Sequence, residues 1–144
     1  MYNYVSHSEE ETVKIARDLA ENISKGDIIV LSGELGSGKT KFVEGFLSYF
    51  GLENEVSSPT FTILNEYTSE DTNIYHFDIY RLKDSDEFYN LGFFEYFDKG
   101  ISLIEWGEMI ENIIPKSYIK VTFLKDESDE NTRYINIHLK EFYA

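Results

Sequence analysis

Gly33-Glu34-Leu35-Gly36-Ser37-Gly38-Lys39-Thr40 is the stretch of this chain whose residue types and spacing carry the clearest chemistry. Gly33, Gly38, Lys39 and Thr40 satisfy G-x-x-x-x-G-K-[ST], the pattern of a phosphate-binding loop. Glycines let backbone N–H groups crowd against a polyphosphate where a Cβ would stand in the way. Lys39 would bring a point charge to the β- and γ-phosphates, and Thr40 an oxygen to Mg2+. A helix starting at Lys39 and continuing through Lys41 would aim the positive end of its dipole at the same anion. The pattern implies nucleotide binding.

Two acids could complete such a site. Ile101-Ser102-Leu103-Ile104-Glu105 reads as a buried strand ending in a carboxylate, directly before Trp106, the single tryptophan. Magnesium takes hard oxygen ligands, so Glu105 is a candidate metal ligand or water-orienting acid. Asp78 closes another apolar run, where a carboxylate can face metal or water. His76, two residues earlier, is either a base or, as is commoner for one histidine inside a strand, a packed or paired side chain. Thr60 lies in Asn54-Glu55-Val56-Ser57-Ser58-Pro59-Thr60-Phe61. Its hydroxyl is either a sensor of the γ-phosphate or, the commoner outcome on spacing alone, a turn threonine bonding its own backbone. Arg81 is either an ion-pair partner in an acidic chain or a phosphate contact.

The elements that must hold these groups follow from periodicity. Asp27–Ser32 is a short apolar run suited to the strand before the loop, and Phe42, Val43, Phe46, Leu47 and Phe50 recur at helical spacing after it until Gly51. Ser8 with Glu9-Glu10-Glu11 opens a capped helix that reaches about Ile23. Residues 61–67 and 73–78 read as a hairpin, and 118–124 with 132–139 as a second hairpin across an acidic turn. Asp84 to Leu91 forms a short capped helix ended by Gly92, and a polar helical turn runs from Glu108 to Ile114 before Pro115. Phe93, Phe94, Tyr96 and Phe97 are mostly core, with any exposed part a docking patch. Helix-linked and hairpin-linked strands together predict an α/β fold of one domain, residues 1–144. Its mixed sheet has parallel core strands, antiparallel hairpins at the margin and flanking helices.

Composition narrows the function classes. At 144 residues and 42% apolar, the chain can bury a real core. It has no cysteine, which excludes disulfides and thiolate chemistry and suits a reducing cytoplasm. Neither a secretory leader nor a spanning segment is visible, so a cytoplasmic location is expected. The net charge is −14 and only Arg17, Arg81 and Arg133 are arginines. Nucleic-acid binders cluster Lys and Arg, so a role with nucleic acid would run through a protein partner or else through a local basic patch within the acidic chain.

Several motifs stand in order along nearly the whole chain: residues 33–40, Ser58-Pro59-Thr60-Phe61-Thr62, Tyr75-His76-Phe77-Asp78-Ile79-Tyr80-Arg81-Leu82, Glu87, Leu91-Gly92 and Leu103-Ile104-Glu105-Trp106. Together they resemble the TsaE (YjeE) ATPases of bacterial tRNA threonylcarbamoyladenosine synthesis. The resemblance implies a P-loop ATPase using ATP and Mg2+. It would work with the two other subunits of the synthase complex and meet tRNA only through them. ATP hydrolysis would reset that complex between turnovers, and the modified adenosine would lie next to the anticodon. By the family pattern, residues 33–41 cradle ATP, Thr40 and Glu105 hold Mg2+, Asp78 supports hydrolysis, Thr60 sits in the switch-like loop and Trp106 lies beside the nucleotide. Glu9 and Arg133 resemble further ATP contacts. Gly107 departs from the family's usual proline after the tryptophan.

Three arginines leave no obvious arginine finger, so weak hydrolysis alone and stimulation by partners are expected. The alternative reading is a nucleotide-gated binding module whose hydrolysis is incidental. A small-molecule kinase is disfavoured by the scarcity of arginines, and a GTPase by the lack of Asn-Lys-x-Asp.

Overall fold

Strand β2 (Ile28–Gly33) sends Ile29 and Leu31 to one face of the sheet and Ile28 and Val30 to the other, as the two-residue period of a strand requires. The four side chains at Ile28–Leu31 are all buried, which places β2 at the centre of a sheet covered on both faces. The computed structural model describes residues 2–34, 36–52 and 63–142. The other strands are β1 (Tyr2–Ser6), β3 (Leu64–Thr68), β4 (Asn73–Asp78), β5 (Ile101–Glu105), β6 (Tyr118–Lys125) and β7 (Arg133–Lys140). They form one seven-stranded sheet in the order β1-β7-β6-β2-β5-β4-β3.

Strands β6, β2, β5 and β4 run parallel, and antiparallel pairs close the sheet on each side: β3 on β4, and β7 with β1 beyond β6. The expected α/β architecture is therefore present. Strand β1 is the element that residue pattern did not announce. Four of its five residues are exposed, so no apolar stripe betrays it, and it is fixed by pairing Tyr2 to Ser6 against Ile137 to Arg133.

Helix α1 (Glu9–Ala20) and helix α2 (Lys39–Tyr49) cover one face. Ser8 caps α1 by accepting from the Glu11 amide at 3.1 Å, while the Glu11 carboxylate reaches back to the His7 amide at 2.7 Å. Helical periodicity reaches towards Ile23, but the helix ends at Ala20 and a turn carries Ile23 into the core. The two helices approach closely at Gly45, where a Cβ would stand 2.6 Å from the Val13 carbonyl oxygen. The opposite face is covered by α3 (Ser85–Asn90) and by 3-10 turns at Phe93–Tyr96 and Gly107–Ile113. The aromatic run is mostly core: Phe97 is buried and Phe93, Phe94 and Tyr96 pack around Phe77 or Phe88. Among the described residues, no helix is long and apolar enough to cross a membrane.

Candidate functional site

The loop at residues 33–40 leaves β2 at its carboxyl end and opens directly into α2. Open parallel sheets bind ligands beyond the carboxyl ends of their strands, because crossovers leave a crevice there. Gly36 and Gly38 adopt φ of +77° and +105°, conformations that a Cβ strains. Gly38 caps α2 without a side-chain hydrogen bond, and no acid occupies the first turn. The exposed amides and dipole of that turn therefore remain available to an anion.

Lys39 gives the site its polarity. The residue is 5% exposed, yet its ammonium has no hydrogen-bond partner and lies 3.7 Å from the centre of the Trp106 ring. Burial lowers its pKa below the ordinary lysine value, against the opposing pull of Glu105, Glu108 and Asp78. A buried cation without a partner costs stability and is compensated when an anion arrives. The Ser37 hydroxyl beside it is also buried without a partner.

Parallel pairing brings the two acids together. Asp78 at the end of β4 is the register partner of Glu105 at the end of β5, and Glu105 in turn faces Leu31 of β2. Burial raises the Asp78 carboxyl above its usual range, with Glu105 adding to the effect and the Tyr80 amide, 3.2 Å away, opposing it. Glu105 is buried and bound to His76 at 2.6 Å. His76 is thus the paired histidine, the commoner of its two expected states. Trp106 stands at φ +63°, the one positive φ outside glycine among the described residues, and its ring meets Tyr80. Such strain collects where surrounding structure holds a residue for a purpose. Gly107 fits because a Cβ there would come within 2.6 Å of Val30 Cγ1, so the 3-10 turn packs flush against β2 without proline.

These groups line one cleft of about 480 Å3. Gly36, Gly38, Lys39, Thr40 and Lys41 form its floor, with Asp78, Glu105 and Trp106 on one side. Glu9 and Arg133 stand on its walls. Arg133 donates to the Gly36 carbonyl at 3.2 Å, so the hairpin of β6 and β7 clasps the loop. Lys41 pairs with Glu44 at 3.0 Å and Glu9 at 3.6 Å. Gly33, Glu34 and Ser37 belong to the same loop but do not line the cleft. Leu35 and Thr60 lie outside the described residues, as does the segment 58–62.

Ser8, Thr12, Glu130 and Asn131 also line the cleft and were not singled out as site residues. Ser8 reads as a helix cap and the other three as helix or acidic-turn residues; only chain folding carries them to the loop. Among the described residues, no group of three or more His, Asp or Glu side chains is arranged to hold a metal by itself. The Thr40 hydroxyl and the two strand-end carboxylates are hard oxygen donors in one cleft, and this set fits Mg2+ sharing its shell with phosphate oxygens.

Comparison with known proteins identifies the family. The family described as Threonylcarbamoyl adenosine biosynthesis protein TsaE matches residues 6–135. The tRNA threonylcarbamoyladenosine biosynthesis protein TsaE of Rickettsia conorii is 42% identical over 132 residues, 91% of this chain and 74% of that protein. Its namesake from Bacillus subtilis is 40% identical over 122 residues, 84% of this chain and 76% of that protein. The crystal structure of Bacillus subtilis YdiB superposes with a TM-score of 0.78 at 30% identity, covering 98% of this chain and 86% of that one. The chain belongs to the TsaE family.

Proposed function

We propose, from membership of the TsaE family, that this chain is an ATP-binding and ATP-hydrolysing subunit required for threonylcarbamoyladenosine modification of tRNA next to the anticodon. Residues 1–144 act as one nucleotide-binding domain in the cytoplasm. The observation that carries the reading is the Lys39 ammonium, buried without a partner at the mouth of a glycine loop. Residues 33–41 surround the polyphosphate, with Lys39 supplying positive charge and the first amides of α2 supplying donors. Trp106, Glu9 and Arg133 bound the rest of the nucleotide. Thr40 and Glu105 would hold Mg2+, whose chemistry there is to offset charge on the phosphate oxygens. Asp78 or Glu105 would orient water at the γ-phosphate, and the family pattern assigns Thr60 to the same chemistry.

Arg133 is committed to the carbonyls of Gly36, Thr132 and Glu130. That commitment favours slow turnover alone and stimulation by the two other subunits of the synthase complex, which would hold the tRNA themselves. Hydrolysis then resets that complex between turnovers.

Calorimetry with ATP and a coupled phosphate-release assay, with and without the partner subunits, test the reading. Binding by the parent chain and stimulated turnover that Lys39→Ala abolishes are expected. No uptake of any purine triphosphate would refute it. Multiple turnovers of tRNA modification sustained by a non-hydrolysable ATP analogue would instead favour the nucleotide-gated binding module.

A further inference from the structure

His76 touches the candidate site and has no task in the chemistry above. It is buried on β4, and its imidazole meets the Glu105 carboxylate at 2.6 Å. An ionised carboxylate only accepts, so Nε2 carries the proton and donates it. Glu105 is also one of three acids whose field favours the charged form of Lys39, the others being Glu108 and Asp78. Yet the Lys39 ammonium bonds none of them and rests over the Trp106 ring. Lys39 and Glu105 are both buried, where opposite charges attract more strongly than at a surface, so an untethered Glu105 would be drawn to the ammonium. The contact that competes for its oxygen is the one with His76.

Resting on the nucleotide reading above, we propose that His76 is a positioning residue that holds Glu105 off Lys39 and so keeps the ammonium available to a phosphate. The β4–β5 register makes this possible: His76 stands opposite Leu103, one diagonal step from Glu105, on the same side of the strand as Asp78. The tether also leaves Glu105 a second oxygen, on a side chain that lines the cleft.

Calorimetry with ATP in EDTA buffer tests this without a divalent ion. His76→Phe keeps a ring and loses the donor, and is expected to bind ATP about tenfold more weakly, within the coupling found between neighbours. His76→Gln places an amide donor near the position of Nε2 and is expected to recover affinity to within about threefold of the parent. In a Glu105→Gln background, which has no carboxylate to misplace, His76→Phe is expected to change affinity less than about twofold. Equal losses in both backgrounds would mark a merely structural residue and overturn the inference, as would unchanged affinity in His76→Phe. The single tryptophan gives a second readout on nucleotide-free protein. Drawing Lys39 off its ring is expected to shift Trp106 emission in His76→Phe, and emission identical to the parent would overturn the inference. Should His76→Phe not fold, His76→Asn, whose donor falls short of the carboxylate, takes its place with the same expectations. Absence of ATP binding by the parent chain would remove both readings; binding with His76→Phe unaffected removes this one alone.

Discussion

Replacing Lys39 by methionine should make the nucleotide-free chain more stable while ending its response to ATP. The substitution keeps an unbranched stem in the same space and removes the ammonium. That ammonium is buried without a hydrogen bond, a state costing about 1–3 kcal/mol for a neutral group and more for a charged one. Its contact with the Trp106 ring returns about 0.5–2 kcal/mol, and the nearby acids return more. Burial nevertheless outweighs the acids, because the lysine pKa is lowered. The balance is a gain in stability, each 1 kcal/mol of which raises Tm by about 4 °C for a chain of this size. ATP at about a hundred times its Kd should stabilise the parent by about 2.7 kcal/mol, about 11 °C, and the variant not at all. Thermal unfolding followed by circular dichroism, with and without ATP, reads both effects. A variant that loses 1 kcal/mol or more without nucleotide, or that keeps the ATP shift, would refute the reasoning.

Asp78→Asn should also stabilise the nucleotide-free chain, in a pH-dependent way. Burial raises the Asp78 carboxyl above 3.8, so the folded chain keeps this proton to higher pH than the unfolded chain, and stability falls as pH rises through that window. The advantage of Asp78→Asn should therefore be larger at pH 7 than at pH 4 in urea titrations, and equal advantages would count against it. Gly45→Ala gains about 1 kcal/mol of helix propensity. Its Cβ would press on Val13 backbone atoms at 2.6 and 2.7 Å, which cannot rotate away. Overpacking of about 1–3 kcal/mol should win, giving a less stable protein by the same titration, and a stabilised variant would contradict the helix spacing. Arg133→Leu, which frees the Gly36 carbonyl, should weaken ATP binding about tenfold by calorimetry, and unaltered affinity would show that the clasp is idle.

The sequence by itself determined most of the elements and the residue types of the loop. Glycines, Lys39 and Thr40 are adjacent, so their types and order carry the phosphate pattern without any knowledge of the fold. The apolar runs at Ile28–Leu31 and Ile101–Glu105 disclose buried strands because both their faces are covered. Resemblance to a known family then supplied Glu9 and Arg133, which local pattern leaves silent. Tertiary structure alone decided what depends on pairing between distant segments. The edge strand β1 has no apolar stripe and exists through its partner β7. Arg133 reaches Gly36 across 97 positions because β6 and β7 fold beside β2. Whether His76 packed, paired or acted alone turned on the register of β4 against β5, and a slip of one residue would have turned it to the opposite face. Side-chain type is a local property, but which charges meet across a sheet is set by register, and register is fixed only when the whole core closes.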